Sequence, residues 1–359
     1  MSGCRGCGGR RRQRVLDLGT VPAADHFPSA TEPIGAGEVA HRLAMELCAD
    51  CGLAQLAEDD TVTAEPRGVE PQALRNQAAD AVARVADAGW LTGKTVREFG
   101  SPHGGSWLGL LAERGFSVGP AATATADVVL DCFGIMHEPD QRSAFAERAT
   151  ATADDGVLLL QYHTLAAIVA GRQWNALRHG HFAYYSAAAL DRLLAAAGMT
   201  VVQTWHFDLY GGTELVAAVH APERGARRAV RPAGPETEQL RHGALQRAAE
   251  TQVRRLREWL AARRHDGLRV YGYGAASRAV ALFALAGLDR GLLAAVADAA
   301  PAKHGRRMPG TDIPVISPEH LVAAEPDLVL LTLAELSDEV AADLPQLAGR
   351  WVLLDSLWE

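Results

Sequence analysis

The sequence predicts an α/β protein in three parts: a small cysteine-built N-terminal module followed by two Rossmann-like domains. Three observations carry that prediction. Two C-x-x-C pairs bracket the N-terminal segment. Two later stretches, "TVREFGSPHGG" and "RVYGYGAASRA", each run from an apolar strand through a glycine turn into a helix-like segment. At 359 residues the chain has room for two or three domains and an ample core.

In the first part, Cys4 and Cys7 form one pair, and Cys48 and Cys51 form the other, within "LCADCGL". Thiolates two residues apart fit one corner of a tetrahedral zinc site, because the turn between them aims both sulfurs at one point. Two such corners close a structural site and leave no open position for catalysis. The zinc-binding module is expected over residues 1–60. The arginines of "GCRGCGGRRRQR" read as a solvated basic edge. Cys132 stands alone within "VVLDCFG" and reads as a buried strand residue.

The polar, proline-containing stretch 57–78 reads as a connector, and a helix pattern runs from about Ala73 to Ala88. "KTVREFG", "ADVVLDCFG" and "GVLLLQYHT" have the apolar runs of buried parallel strands. "SAAALDRLLAAAGM" reads as a helix with Ser186 as N-cap and Gly198 just past its end. "TVVQTWHFDLYGGTELVAAVHA" gives two strands around a Gly-Gly turn, so one α/β domain is expected over 75–221, with "PERGARRAVRPAGP" as linker. Leu240, Leu245, Ala248, Leu256 and Leu260 then mark one long amphipathic helix ending near Arg264. The strand, glycine turn and helix of "LRVYGYGAASRAVALFALAG" open a C-terminal Rossmann-like domain over 236–359. Its turn, Gly272 to Ala276, offers backbone N–H groups and a helix N-terminus, which suit a pyrophosphate.

Composition narrows the function. A net charge of −8 argues against nucleic acid as partner, and a hydrophobic fraction of 48% fits a globular protein. No apolar run approaches the ~20 residues of a membrane span, and no signal peptide is visible, so a cytoplasmic location is expected. Histidines concentrate in "QWNALRHGHFAYYS". Histidine suits abstraction of a proton beside a ketone, since its ordinary pKa near 6.5 leaves a neutral acceptor at pH 7. Arg178, always charged, can hold an enolate oxygen or a phosphate. His163, at the end of "LLLQYHT", falls at the carboxyl edge where open α/β sheets place ligands.

The succession of "CRGCG", "LDLGTVPAADHFP", "LCADCGLAQL", "REFGSPHGG", "YGYGAASRA", Asp298 and "PAKHGRRMPGTDIPVISPE" resembles the nucleotide-sugar C-methyltransferases of deoxysugar biosynthesis, over nearly the whole chain. That resemblance implies a methyltransferase-like middle domain and a dTDP-4-keto sugar bound between the middle and C-terminal domains. It implies an S-adenosylmethionine loop at Gly100, Ser101 and Gly104, and a base at His181; His179, Arg178 and His163, read from the residues themselves, are further catalytic candidates. In the C-terminal domain it points to Tyr273, Gly274, Ala275, Ala276, Ser277, Asp298 and Lys303 as substrate-binding residues.

The departures from the family pattern sit in the middle domain. Pro102-His103 replaces Asn-Asp in the loop, and Val118-Gly119-Pro120 is followed by Ala121 where the family has an acid for the donor's ribose. Only "AATATA" separates Pro120 from Asp127, where the family has a further βα unit. Arg178 stands where the family has Tyr, and Gly180 where it has Glu. A lost ribose anchor costs roughly 1–3 kcal/mol of donor binding. The sequence reading is therefore of a vestigial donor loop and an isomerase or epimerase of a nucleotide keto sugar, working by proton transfer without methyl transfer. The alternatives are an S-adenosylmethionine-dependent C-methyltransferase and a non-catalytic partner of sugar-processing enzymes.

Overall fold

The computed structural model describes residues 3–35, 37–61, 70–101, 105–118, 125–221 and 230–358. Three sheets divide the chain. In the N-terminal module, β1 (Arg12–Val21), β2 (His41–Cys48) and β3 (Ala54–Leu56) pair antiparallel in that order. Leu16, Leu43, Met45, Leu47 and Leu56 are buried beneath them. Cys48 ends β2 and Cys51 sits in the turn that follows, so one strand end delivers two sulfurs to one place.

Helix α1 (Gln72–Asp87) leads into the middle sheet, where β4 (Thr95–Phe99), β5 (Ser117–Val118), β6 (Ala126–Cys132) and β7 (Thr152–His163) run parallel. Helix α2 (Leu108–Ala112) crosses from β4 to β5, and α3 (Gln141–Ala151) from β6 to β7. After β7 come α4 (Leu165–Ala170), the two-residue β8 (Ala183–Tyr184) and α5 (Ala187–Ala196). The antiparallel strands β9 (Met199–Phe207) and β10 (Thr213–His220) complete the order β5-β4-β6-β7-β10-β9. Residues 156–162 of β7 are all buried, as a strand covered on both faces requires. Ser186 caps α5 by accepting from the Ala189 N–H, and Gly198 takes φ +80° just beyond the helix, as the sequence predicts.

One buried ion pair shapes this domain. Arg148 of α3 donates to Asp131 at 2.9 Å, and both side chains are excluded from solvent. The other Asp131 oxygen accepts the Gly134 and Ile135 N–H groups at 2.8 and 2.9 Å. These bonds fix the turn after β6, in which Phe133 takes a positive φ of 61°. The strand β8 belongs to another sheet: it pairs with β3, Ala54 opposite Tyr184 and Gln55 opposite Ala183. The N-terminal module thereby grips the segment just after His181.

The C-terminal domain begins with α6 (Pro235–Arg241) and α7 (Ala244–His265). The sequence predicts one helix here, but Gly243 at φ +72° breaks it, so Leu240 belongs to the short first piece. A parallel sheet follows in the order β13-β12-β11-β14-β15, built from β11 (Val270–Tyr273), β12 (Val296–Ala297), β13 (Val315–Ile316), β14 (Leu328–Leu331) and β15 (Trp351–Leu353). Helices α8 (Ser277–Leu285), α9 (Pro318–Ala323) and α10 (Ser337–Asp343) connect its strands. Among the described residues no helix is long and apolar enough to cross a membrane.

Candidate active site

In each α/β sheet the strand order reverses at one point, and ligands of such sheets bind outside the carboxyl ends of the strands there. In the middle domain that point lies between β4 and β6, and in the C-terminal domain between β11 and β14. Both border one cleft of about 350 Å³, with Ser101 and Phe133 on one side and Gly274 and Leu333 on the other. The loop before β8 supplies its floor through Gln173, Arg178 and His181.

His181 is 4% exposed and is placed by bonds to its neighbours on both sides. The Phe182 N–H donates to Met136 O at 2.7 Å, the Leu56 N–H to Phe182 O at 3.2 Å, and the Gly180 N–H to the Asp59 carboxylate at 2.7 Å. His137 donates from Nδ1 to Gly180 O at 2.9 Å and sets its ring edge-on to His181, 4.3 Å between centroids. Arg178 Nε donates to His181 Nε2 at 2.7 Å. His163 also lines the cleft, and among the described residues its Nε2 has no hydrogen-bond partner. Burial, with Arg278 and Arg178 nearby, pulls His163 down to about 4, so it is neutral at pH 7.

His179 goes elsewhere. It is buried under the N-terminal module, donating from Nε2 to Arg42 O at 3.2 Å, and does not line the cleft. Burial lowers its pKa. Cys132, expected inside its sheet, ends β6 at the cleft wall. Of the predicted donor loop, Gly100 and Ser101 are placed at the end of β4, while Gly104 lies outside the described residues, as do Pro102, His103 and the connector 119–124.

In the C-terminal turn, Tyr273, Gly274, Ala276 and Ser277 line the cleft, and Ala275 does not. Asp298 and Lys303 reach the cleft but build the turn itself. The Asp298 carboxylate accepts from the Ala275 and Ala300 N–H groups at 2.8 Å each, and Lys303 Nζ donates to Ala275 O at 2.9 Å. Helix α8 starts at Ser277 without a side-chain cap, leaving its N-terminus to the cleft.

Two residues that the sequence did not single out complete the site. Tyr210, at φ +56° in the turn before β10, lays its ring 6.0 Å from Phe133 and 6.1 Å from His163. Arg278 stands over that ring at 5.4 Å and pairs with Glu335. Position was their only sequence signal: one precedes the Gly-Gly of a hairpin, and the other follows the glycine turn.

The four cysteines converge as predicted. Their Sγ atoms lie within 4.8 Å of one another, with Cys4 3.6 Å from Cys51 and Cys7 3.7 Å from Cys48. Zinc–sulfur bonds of about 2.3 Å set tetrahedrally put sulfurs roughly 3.8 Å apart, so the cluster fits a structural zinc. As thiols they compete for one charge: the Cys51 hydrogen bond pulls Cys4 down to about 5, and Cys51 is pushed up in return.

Residues 4–65 match the family model of a zinc binding domain, 71–204 that of a methyltransferase domain, and 235–353 that of the C-methyltransferase C-terminal domain. All three occur in this order along one chain. Together they make the pattern of a C-methyltransferase. The C-methyltransferase NovU of Streptomyces niveus is 27% identical over 393 residues, covering 94% of this chain and 90% of the relative. Among solved structures, the 1,6-didemethyltoxoflavin-N1-methyltransferase of Burkholderia thailandensis is 14% identical, with a TM-score of 0.32 over 48% of this chain and 97% of its own. The magnesium protoporphyrin IX methyltransferase of Synechocystis PCC 6803 is 13% identical, with a TM-score of 0.30 over 42% and 84%.

These matches correct the expectation of a methyl-free isomerase. The methyltransferase-domain match runs through Val118, Gly119, Pro120 and the short connector on which that expectation rested, and the likeness to NovU extends almost end to end. The physical reason is visible in the sheet. Among the described residues the sheet ends at β5, one strand away from the switch point between β4 and β6, so the short connector lies at its edge and not at its centre. There the two turns meet so tightly that a Cβ on Gly134 would lie 2.9 Å from Asp131 Oδ1 and 3.0 Å from Gly100 O.

Proposed function

We propose that this chain is an S-adenosylmethionine-dependent C-methyltransferase acting on a nucleotide-linked keto sugar. One observation supports this most: His181, the donor-side turns at Ser101 and Phe133, and the C-terminal glycine turn border a single cleft. The residues fit a nucleoside donor on the middle-domain side. Ser101 and Glu70 offer polar groups there, Phe133 an aromatic face, and the Gly134 turn leaves no room for a side chain. When bound, S-adenosylmethionine supplies an electrophilic methyl group.

The chain's own part is to make and hold the nucleophile. His181 Nε2 takes the proton on the carbon beside the ketone, and the C–H electron pair becomes available at that carbon. Arg178, beside His181, stabilises the charge that develops on the ketone oxygen. The uncapped N-terminus of α8 and the backbone at Gly274 hold the acceptor's diphosphate. Neutral His163 keeps a second imidazole close to Arg178 and Arg278 without adding charge.

The test uses methyl-labelled S-adenosylmethionine with dTDP-4-keto sugars. The expected result is label on a sugar carbon, and a fall of roughly 10²–10⁴-fold in His181→Ala. Absence of both donor binding and label transfer across these acceptors would overturn the proposal.

A further inference from the structure

A neutral imidazole has one nitrogen lone pair, and a base must offer it to the proton it removes. In this structure the lone pair on His181 Nε2 is taken: Arg178 Nε donates to it at 2.7 Å. His181 therefore carries its own hydrogen on Nδ1, and Nε2 accepts no second proton until Arg178 lets go.

Arg178 is held there weakly. Its other hydrogen bonds are made by the backbone, the N–H donating to the Tyr184 hydroxyl at 3.2 Å and the carbonyl accepting from the His181 N–H at 3.3 Å, and among the described residues its guanidinium forms no ion pair. The other cleft cations are matched, Arg278 by Glu335 and Lys303 by Asp298 at 3.8 Å. A half-buried, unmatched guanidinium has donors to spare and a planar fork suited to a phosphoryl or carboxylate group. An anionic oxygen adds charge–charge attraction and can take two parallel N–H groups of the guanidinium, neither of which a neutral ring nitrogen offers, so it competes well against Nε2.

We infer that Arg178 is an anion-operated latch on His181, resting on the reading of His181 as the base. An anionic oxygen of the acceptor, phosphoryl or carboxylate, draws the guanidinium off Nε2 and so frees the lone pair for proton abstraction. Base activation is thereby coupled to binding, and an acceptor without an anionic group within reach of Arg178 leaves the base closed. Arg178 determines specificity by this coupling. An uncharged residue in its place provides neither the hold nor the release.

The experiment is nitrogen NMR of the full-length zinc-loaded protein with ¹⁵N-labelled histidine, the His181 signals being assigned with His181→Asn. The probes are pyrophosphate and glucuronate, one phosphoryl and one carboxylate source. In the free protein His181 should show the Nδ1–H tautomer with a hydrogen-bonded Nε2. Saturation with the effective probe should shift Nε2 to its unbonded position, and the probe that succeeds identifies the source of the anion. Arg178→Met should show the released signal with no probe and bind that probe roughly tenfold or more weakly. Arg178→Lys should recover part of that affinity, because it keeps the charge. Probe binding that leaves Nε2 unmoved, absence of binding by both probes, or a wild-type signal in Arg178→Met would overturn the latch. No methyl donor or keto sugar is present, so failure of methyl transfer is a separate result from failure of the latch.

Discussion

The two switch points that bound the cleft are built in opposite ways. At the C-terminal one every arm of the turn is tied down. Asp298 takes the Ala275 N–H, Lys303 takes the Ala275 carbonyl, and the Thr332 hydroxyl donates to Gly274 O at 2.6 Å. At the middle one, among the described residues, Glu98 at the end of β4 accepts from the Trp107 N–H at 2.7 Å and the Ser106 hydroxyl at 2.5 Å, which ties the strand to the start of α2. A turn packed on all sides limits its own sequence through folding. "YGYGAASRA", in the packed turn, follows the family pattern closely, while "FGSPHGG" departs from it, and those departures were a poor guide to function.

The largest expected effect breaks the packed turn. Gly274 sits at φ +95°, and a Cβ there would lie 2.6 Å from Thr332 Oγ1 and 3.3 Å from Leu333. Thr332 is pinned by its bonds to Tyr273 O and Gly274 O, so it has little room to give. Backbone strain and overpacking together should cost Gly274→Ala on the order of 3–5 kcal/mol. Denaturant unfolding checks this, and a variant as stable as the parent would mean that the turn is less rigid than its bonds imply.

What was legible in the sequence follows the range of the forces involved. Local chemistry read well: the two C-x-x-C corners, the Ser186 cap with Gly198, and the apolar run of β7 all depend on near neighbours. The break at Gly243 was missed because the leucine period continues across it, and nothing in that period reports a positive φ. The grip of β3 on β8 was not legible at all. Two residues have no period, and their partners lie over a hundred positions away in the chain. That grip is what sets His181, so the zinc module's contribution to the cleft was hidden in the sequence. His181 itself was reached by resemblance rather than pattern. Asp298 and Lys303, read from the sequence as substrate-binding residues, bond to the glycine turn at Ala275.

A second prediction sharpens the comparison through pH. His163 stands at the cleft between the two switch points with a pKa of about 4, below the ordinary 6.5 that it regains on unfolding. Between those values the unfolded chain binds a proton that the folded chain refuses, so stability falls as pH drops from 6.5 toward 4 and is unaffected by His163 above 6.5. The loss approaches about 3 kcal/mol at the acid end. His163→Asn should remove this component. Wild type and variant both carry the cysteine site, so the difference between their stability curves isolates His163. Parallel curves from pH 7 to 4.5 would show that its imidazole reaches solvent or an acid in the folded protein.

The smallest expected effect on folding is at the open turn, and it separates folding from binding. Among the described residues nothing lies within 4 Å of a Cβ added to Gly100, and its φ lies outside the positive range that favours glycine. Gly100→Ala should therefore change stability by less than about 0.5 kcal/mol. The same methyl group stands beside Ser101 at the carboxyl end of β4, where a nucleoside donor must approach the backbone closely. S-adenosylmethionine affinity, read by calorimetry, should fall by roughly tenfold, the scale of one lost contact of about 1.4 kcal/mol. An unchanged melting temperature with weakened donor binding is the signature of a turn kept for its ligand. Loss of stability in step with affinity would mean instead that the middle turn, like the C-terminal one, is held by the fold.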